Sequence, residues 1–111
     1  MSRAQGSQAE QQVCQWLERQ GLILLHQNFH CRFGELDLVM QQDNELVFIE
    51  VKYRRSSGFG GASAAVTPAK QKRLRLAASY YLQQQGWSDR PCRCDVVSVQ
   101  GQTIDWIKNA F

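Results

Sequence analysis

Polar and apolar positions along this chain change period in a definite order, from helical to strand spacing and back. Residues 5–20 set Ala9, Val13, Trp16, Leu17 and Gln20 on one helix face, and Gly21 is placed to end that helix. Residues 22–29 read as a first strand, followed by a short polar link over 30–33. Two runs with β character, 36–40 and 46–51, flank Asp43-Asn44, which reads as a hairpin turn. A second helix opens at Thr67-Pro68, where Thr67 can cap and Pro68 has no N–H to lose. Its buried face is expected from Leu74, Ala77, Ala78, Tyr81 and Leu82, with Gly86 closing the end. Residues 93–99, carrying valines 96, 97 and 99, predict a fourth strand. Residues 103–107 predict a fifth, across a Gln100-Gly101-Gln102 turn. The order helix, three strands, helix, two strands predicts an α/β sandwich, its mixed central sheet flanked by helices, in one domain over 1–111.

The central hairpin is where the apolar pattern is broken by charge. Side chains alternate along a strand, so Glu50 and Lys52 share a face while Val47, Ile49 and Val51 share the other. On the preceding strand Glu35, Asp37 and Val39 are expected on one face, with Leu36, Leu38 and Met40 opposite. A turn centred on Asp43-Asn44 pairs Gln41 with Leu46, Val39 with Phe48 and Asp37 with Glu50, and it sets Glu35 against Lys52. Directly opposed carboxylates repel, and each also loses solvation in an apolar hairpin. A divalent cation relieves both. Mg²⁺ takes oxygen ligands, uses one or two carboxylates and keeps waters for substrate phosphates. A lysine on the same face can orient an attacking water or stabilise developing charge on a phosphate. The plainer alternative is a Glu35–Lys52 cross-strand ion pair with the other acids on a solvated edge.

The first turns of the second helix carry Lys70, Lys72, Arg73 and Arg75. Cations there oppose the helix dipole, but with the free N–H groups of a helix start they compose a phosphate-binding surface. A solvated basic face is the ordinary alternative; beside the carboxylates, phosphate contact is expected, with Lys70 and Arg73 the leading candidates. Arg32 could touch a phosphate or simply solvate its turn. Residues 56–65 are dominated by Ser, Gly and Ala, with Phe59 the one large side chain. They read as a substrate loop or as a plain connector.

Asp37 followed by Glu50-Val51-Lys52 after a hairpin resembles the D…(D/E)-x-K signature of restriction-endonuclease-like nucleases. The wider set of blocks, GELDLV, VFIEVKYR, a glycine-rich loop, VTPAKQKRL, CDVV and a terminal NAF, is similar to the YraN-like family of small bacterial proteins, related to archaeal Holliday-junction resolvases. The likeness covers residues 6–111. It implies a restriction-endonuclease-like αβββαβ core and a Mg²⁺- or Mn²⁺-dependent endonuclease. Asp37, Glu50 and the Val51 carbonyl would hold metal, with Lys52 as the catalytic lysine. By the same resemblance Glu10 is a first-helix glutamate near the metal, and Glu35 bridges to a second ion or pairs with Lys52. Arg54, Arg55, Lys70 and Arg73 are the expected nucleic-acid contacts. The cleft is expected where the central hairpin meets the first helix. The competing class is a non-catalytic nucleic-acid-binding module on the same fold.

Composition narrows the rest. At 111 residues, 43% hydrophobic and 21% charged, the chain has the balance of an ordinary globular protein. A net charge of +3 permits a nucleic-acid partner, DNA ahead of RNA, without demanding one. No apolar run approaches a membrane span and no signal-peptide core precedes the first helix, so a cytoplasmic protein without a membrane partner is expected. Cys14, Cys31, Cys92 and Cys94 fit that compartment as free thiols, and their spacing with His26 and His30 builds no zinc frame. Asp95 and Asp105 read as structural. A homodimer would give two sites for two strands, though no segment signals one.

Overall fold

The computed structural model describes residues 3–54 and 66–111. Within them the order is α1 (Arg3–Arg19), β1 (Ile23–Cys31), β2 (Gly34–Gln42), β3 (Glu45–Arg54), α2 (Pro68–Gln85), β4 (Cys92–Gln100) and β5 (Thr103–Ile107). The strands form one sheet in the order β1-β2-β3-β4-β5; β3 and β4 run parallel and the other neighbours antiparallel. A parallel pair cannot be closed by a tight hairpin, and α2 lies in the connection between its two strands. The α/β architecture and its element order are those read from the sequence. Arg55, Phe59 and the rest of the 56–65 loop lie outside the described residues, as does the Arg54 side chain.

Local chemistry sets the ends of α2. Thr67 is extended, at φ −70° and ψ 158°, and its hydroxyl oxygen accepts from the Lys70 N–H at 3.1 Å. Pro68 fills the first turn, and Gly86 ends the helix at φ 72°, a left-handed conformation glycine adopts at least cost. The buried stripe is Leu74, Ala77, Ala78, Tyr81 and Leu82, as the spacing predicts. In α1 the stripe is Ala9, Val13, Cys14 and Leu17; Trp16 is half-buried and Gln20 exposed. The inclusion of Gln20 is therefore corrected. The helix stops at Arg19, and Gln20 belongs to the turn that follows.

The helices cover opposite faces of the sheet. On one, α2 packs with Phe29, Leu36, Val39, Phe48, Cys94 and Val96. Tyr81 meets the rings of Phe29 and Phe48 edge-on at 5.1 and 6.0 Å, arrangements worth about 0.5–1.5 kcal/mol beyond the buried area. On the other, α1 packs with Leu38, Met40, Val47, Ile49, Val51, Val97 and Val99. Valines 97 and 99 thus face one helix and Val96 the other, so β4 is covered on both sides.

Two expectations about strand pairing change. The polar link over 30–33 shortens to the turn Arg32-Phe33, because His30 and Cys31 pair with Glu35 and Gly34 as part of β1. Ladder bonds, which hydropathy does not report, extend the strand. Strict alternation also fails in β2. Leu36 packs on the α2 side with Val39, whereas Leu38 and Met40 pack on the α1 side. The switch falls at Asp37, which has no ladder partner on β1 and lies level with Asn28 at φ 52°, and the ladder with β3 stops just before it, at Leu38–Ile49. There β2 leaves β3.

The buried Asp95 is structural, as read. Fully buried, it accepts from Arg93 Nε at 3.0 Å, Trp106 Nε1 at 2.8 Å and the Asn109 N–H at 2.8 Å. Arg93 also reaches Glu45 at 2.7 Å and Gln42 at 2.8 Å. This network ties the start of β4 to β5 and to the segment after it, and it serves packing rather than the cleft.

Candidate functional site

The point where β2 departs from β3 is the point where the acids collect. Near the turn the expected register holds, with Gln41 opposite Leu46 and Val39 opposite Phe48. Past Leu38 the backbone no longer supplies an acceptor to β3. The Asp37 side chain does so instead, its Oδ2 accepting from the Val51 N–H at 2.9 Å. Asp37 is thus held by β3 itself, next to the Val51 peptide. A neighbouring turn shapes the same edge: Gly34 opens β2 at φ +145°, a backbone conformation a side chain would strain.

Glu50 follows from strand alternation. It lies on the Phe48 face, turned toward α2, and is only 7% exposed. Burial first, and then the charge of Asp37 and a hydrogen bond to it, hold its carboxyl well above the usual carboxylate range, while Lys70 and Lys52 pull it partly back. Lys70 Nζ lies 3.5 Å from Glu50 Oε1. Burial lowers the Lys52 pKa, reinforced by the charge of Lys70 and opposed by Glu50 and Asp37. Lys52, Lys70, Asp37 and Glu50 therefore form one interacting set.

Glu10 joins it from α1. Its carboxyl is pushed up to about 7, by burial first and then by the charges of Asp37 and Glu35. Its Oε1 is buried without a hydrogen-bond partner. A buried acceptor left unmade is costly, and carboxylate oxygens beside it are the wrong partners unless a proton or a cation intervenes. Glu35 itself is largely exposed, and its neighbour is His30 at 3.8 Å rather than Lys52. The Glu35–Lys52 pair expected from extending the register is not formed, because the ladder has already ended.

A cleft of about 260 Å³ opens over this set, lined by Gly34, Glu35, Asp37, Glu50, Lys70, Arg73 and Leu74. It lies between the hairpin and the start of α2, which corrects the expectation that it would lie against α1. The shift has a plain cause. The face bearing Glu50 is the α2 face, and α1 reaches the acids only through Glu10. The cleft has an acidic floor from β2 and β3 and a basic wall from the first turns of α2. Behind Glu50 the wall is apolar: Leu36, Phe48, Leu74, Cys94 and Phe111 border a smaller hollow beside it. Phe111 was missed as a neighbour of Glu50; the terminal NAF block was its only signal, and that carries no geometry.

The oxygens gathered here are carboxylate oxygens of Asp37, Glu50 and the orphaned Glu10, a chemistry that hard cations accept more readily than softer metals do. Among the described residues no group of three or more His, Cys, Asp or Glu side chains is placed so that it could hold a metal ion. The four cysteines are free thiols. No helix among the described residues is long and apolar enough to cross a membrane.

Fold and site together define an α/β protein with a five-stranded mixed sheet between two helices and an acid cluster where two central strands part. The chain belongs to the uncharacterised protein family UPF0102, which it matches over residues 9–99. Similar relatives include the UPF0102 protein of Nitrosococcus oceani, 48% identical over 98% of this chain and 92% of its own length. That of Pseudomonas putida F1 is 49% identical, over 96% of this chain and 91% of its own. That of Nitrosomonas eutropha is 48% identical, over 99% and 95%.

Proposed function

We propose that this protein is a metal-dependent endonuclease that hydrolyses phosphodiester bonds in DNA, on a restriction-endonuclease-like core. One observation carries the reading. The carboxyls of Asp37 and Glu50 meet in a cleft whose opposite wall carries Lys70 and Arg73, with Glu10 and Lys52 near enough to feel their charge. Glu10 and Glu50, which hold protons above the ordinary carboxylate range, are poised to exchange them for a divalent cation. The basic wall supplies what a phosphate needs. The strand order, with β3 and β4 parallel around α2, is compatible with the proposed core.

Asp37 and Glu50, with the Val51 carbonyl, would hold Mg²⁺ or Mn²⁺, and Glu10 stands ready behind them. When bound, the ion supplies a Lewis acid and an acidified water. The chain's own groups do the rest. Asp37 is oriented by the Val51 N–H, so its second oxygen has a fixed direction. Lys52, its pKa lowered by burial and by the charge of Lys70, would position a water or donate to a phosphate oxygen. Lys70 and Arg73 hold the phosphate against the cleft, and moving Lys70 to a phosphate frees Glu50. Arg54 and Arg55 are proposed as further contacts to the nucleic acid. Glu35, exposed at the rim, would meet a second ion. A homodimer with a twofold axis would offer two such sites to two strands, as a branched or junction substrate requires.

The second reading, a non-catalytic nucleic-acid-binding module, draws on Lys70 lying 3.5 Å from Glu50, since an acid neutralised internally has less need of an ion. A labelled panel of four-way junction, flap, single-stranded DNA, duplex DNA and RNA decides between them. It is incubated with Mg²⁺, with Mn²⁺ or with EDTA, and with Glu50→Ala protein purified identically. The expected result is metal-dependent cutting that falls at least a hundredfold, on the order of a lost catalytic ligand. Equal cutting by both proteins would mark a contaminant. Binding without cutting by either would shift the reading to the docking module.

A further inference from the structure

Arg32 and Phe33 form the tight turn that leads into the cleft, and the nuclease reading gives them no role. Arg32 is exposed, and its guanidinium lies over the Phe33 ring at 4.8 Å from the centroid. Phe33 is in turn backed by Tyr80, whose ring stands 6.1 Å away at 66°. Tyr80 packs against Phe29 on its other side, at 6.2 Å, and Gln84 donates to its hydroxyl at 3.2 Å. Both Phe33 and Tyr80 are half-buried against the α2 core. An arginine stacked this way has lost much of its freedom before any ligand arrives. Its exposed guanidinium offers a flat cation with N–H donors at the rim.

The position matters as much as the chemistry. Phe33 directly precedes Gly34 and Glu35, which line the cleft. Tyr80 lies two helical turns beyond Arg73 on the same side of α2, about 10 Å along its axis. Helical side chains lean toward the N-terminus, so Tyr80 leans back toward the cleft. A strand whose phosphate sits between Arg73 and the acids would run out across this turn within one or two nucleotides.

We infer that the Arg32–Phe33–Tyr80 stack is a base-stacking subsite that takes an unpaired base next to the phosphate held in the cleft. The inference rests on the nucleic-acid reading and names its substrate class: DNA with a single-stranded or branched segment rather than uninterrupted duplex. In duplex the bases are stacked on one another and offer no face to a guanidinium. An unpaired base exchanges solvent for this surface, and stacking of that kind discriminates by strandedness rather than by sequence.

The test is binding in EDTA, so that cutting plays no part. The probes are a single-stranded DNA and a duplex with a single-stranded tail, each carrying 2-aminopurine in the unpaired segment, and a blunt duplex as reference. The wild-type chain is expected to quench 2-aminopurine on binding and to prefer tailed over blunt DNA by roughly tenfold, the scale of one stacked base. Arg32→Lys keeps the charge and removes the plane; it should abolish the quench and most of the preference. Phe33→Leu keeps an apolar side chain and should weaken both. Because Arg32 is exposed, its variant does not depend on the core for folding. Quenching that survives Arg32→Lys unchanged would overturn the subsite. So would wild-type binding without quench or preference, which leaves the nuclease reading standing. Absence of binding to every probe would overturn the subsite too, and metal-dependent cleavage then judges the nuclease reading by itself.

Discussion

Asp37 serves two neighbours whose demands conflict. The Val51 N–H donates to it, whereas Glu50 and Glu10, both short of solvent, are raised by burial first and then by its charge. The metal-free protein settles the conflict with protons. The sign follows from linkage: an acid that titrates higher in the folded state than in the unfolded chain stabilises the fold fully below its ordinary value near 4.5. That stabilisation is lost as pH rises, through about 7 for Glu10, and Glu50 shifts in the same direction. The melting temperature in EDTA should therefore fall between pH 5 and pH 8. Glu50→Gln, neutral at every pH and nearly the same shape, should flatten that slope and raise stability at pH 8 by roughly 1–2 kcal/mol. A slope identical to wild type would show that Glu50 does not titrate in this window.

At the scale of elements, β2 and α2 divide the work. β2 is paired with β1 from Gly34 to Gln41 except at Asp37, but with β3 only from Leu38 to Gln42, and the cleft opens beside the half that β3 leaves unpaired. α2 closes the opposite wall, and its first turn is anchored by one side-chain hydrogen bond, Thr67 to the Lys70 N–H. Lys70 and Arg73 are thus positioned by a helix end that a single substitution loosens. Thr67→Ala should cost about 1 kcal/mol by urea denaturation, the usual worth of such a cap. It should also weaken DNA binding in EDTA, because the basic wall frays with the cap. Lost stability with unchanged affinity would mean that Lys70 and Arg73 do not depend on the helix start.

For the whole molecule, a cation bound by groups from α1, β2 and β3 would be bound only by the folded chain, so it must stabilise the fold. At one hundred times its dissociation constant the gain is about 2.7 kcal/mol. Mn²⁺ and Mg²⁺ are expected to raise the melting temperature more at pH 8 than at pH 5.5, since protons compete for the same oxygens. Glu50→Gln should remove most of that effect. No shift for wild type, or an equal shift in the variant, would count against the ligand set assigned to Asp37, Glu50 and Val51.

Much of this was legible beforehand, and the division has a physical basis. Capping at Thr67, the Gly86 stop, the Asp43-Asn44 turn and the alternation of β3 are decided within a few residues, so the sequence by itself determined the element order and the buried stripe of α2. It also determined the hairpin register near the turn; Asp37 and Glu50 do meet, but through their side chains and not as the directly opposed pair that the register predicts. Only the tertiary structure decided that β2 leaves β3 at Leu38, that Leu36 turns to the α2 face, and that His30 and Cys31 extend β1. It likewise decided that the cleft opens against α2, with Lys70 beside Glu50 and Phe111 behind it. Those outcomes depend on backbone hydrogen bonds and packing between segments far apart in the chain, and no local spacing encodes which of two competing partners a strand will keep.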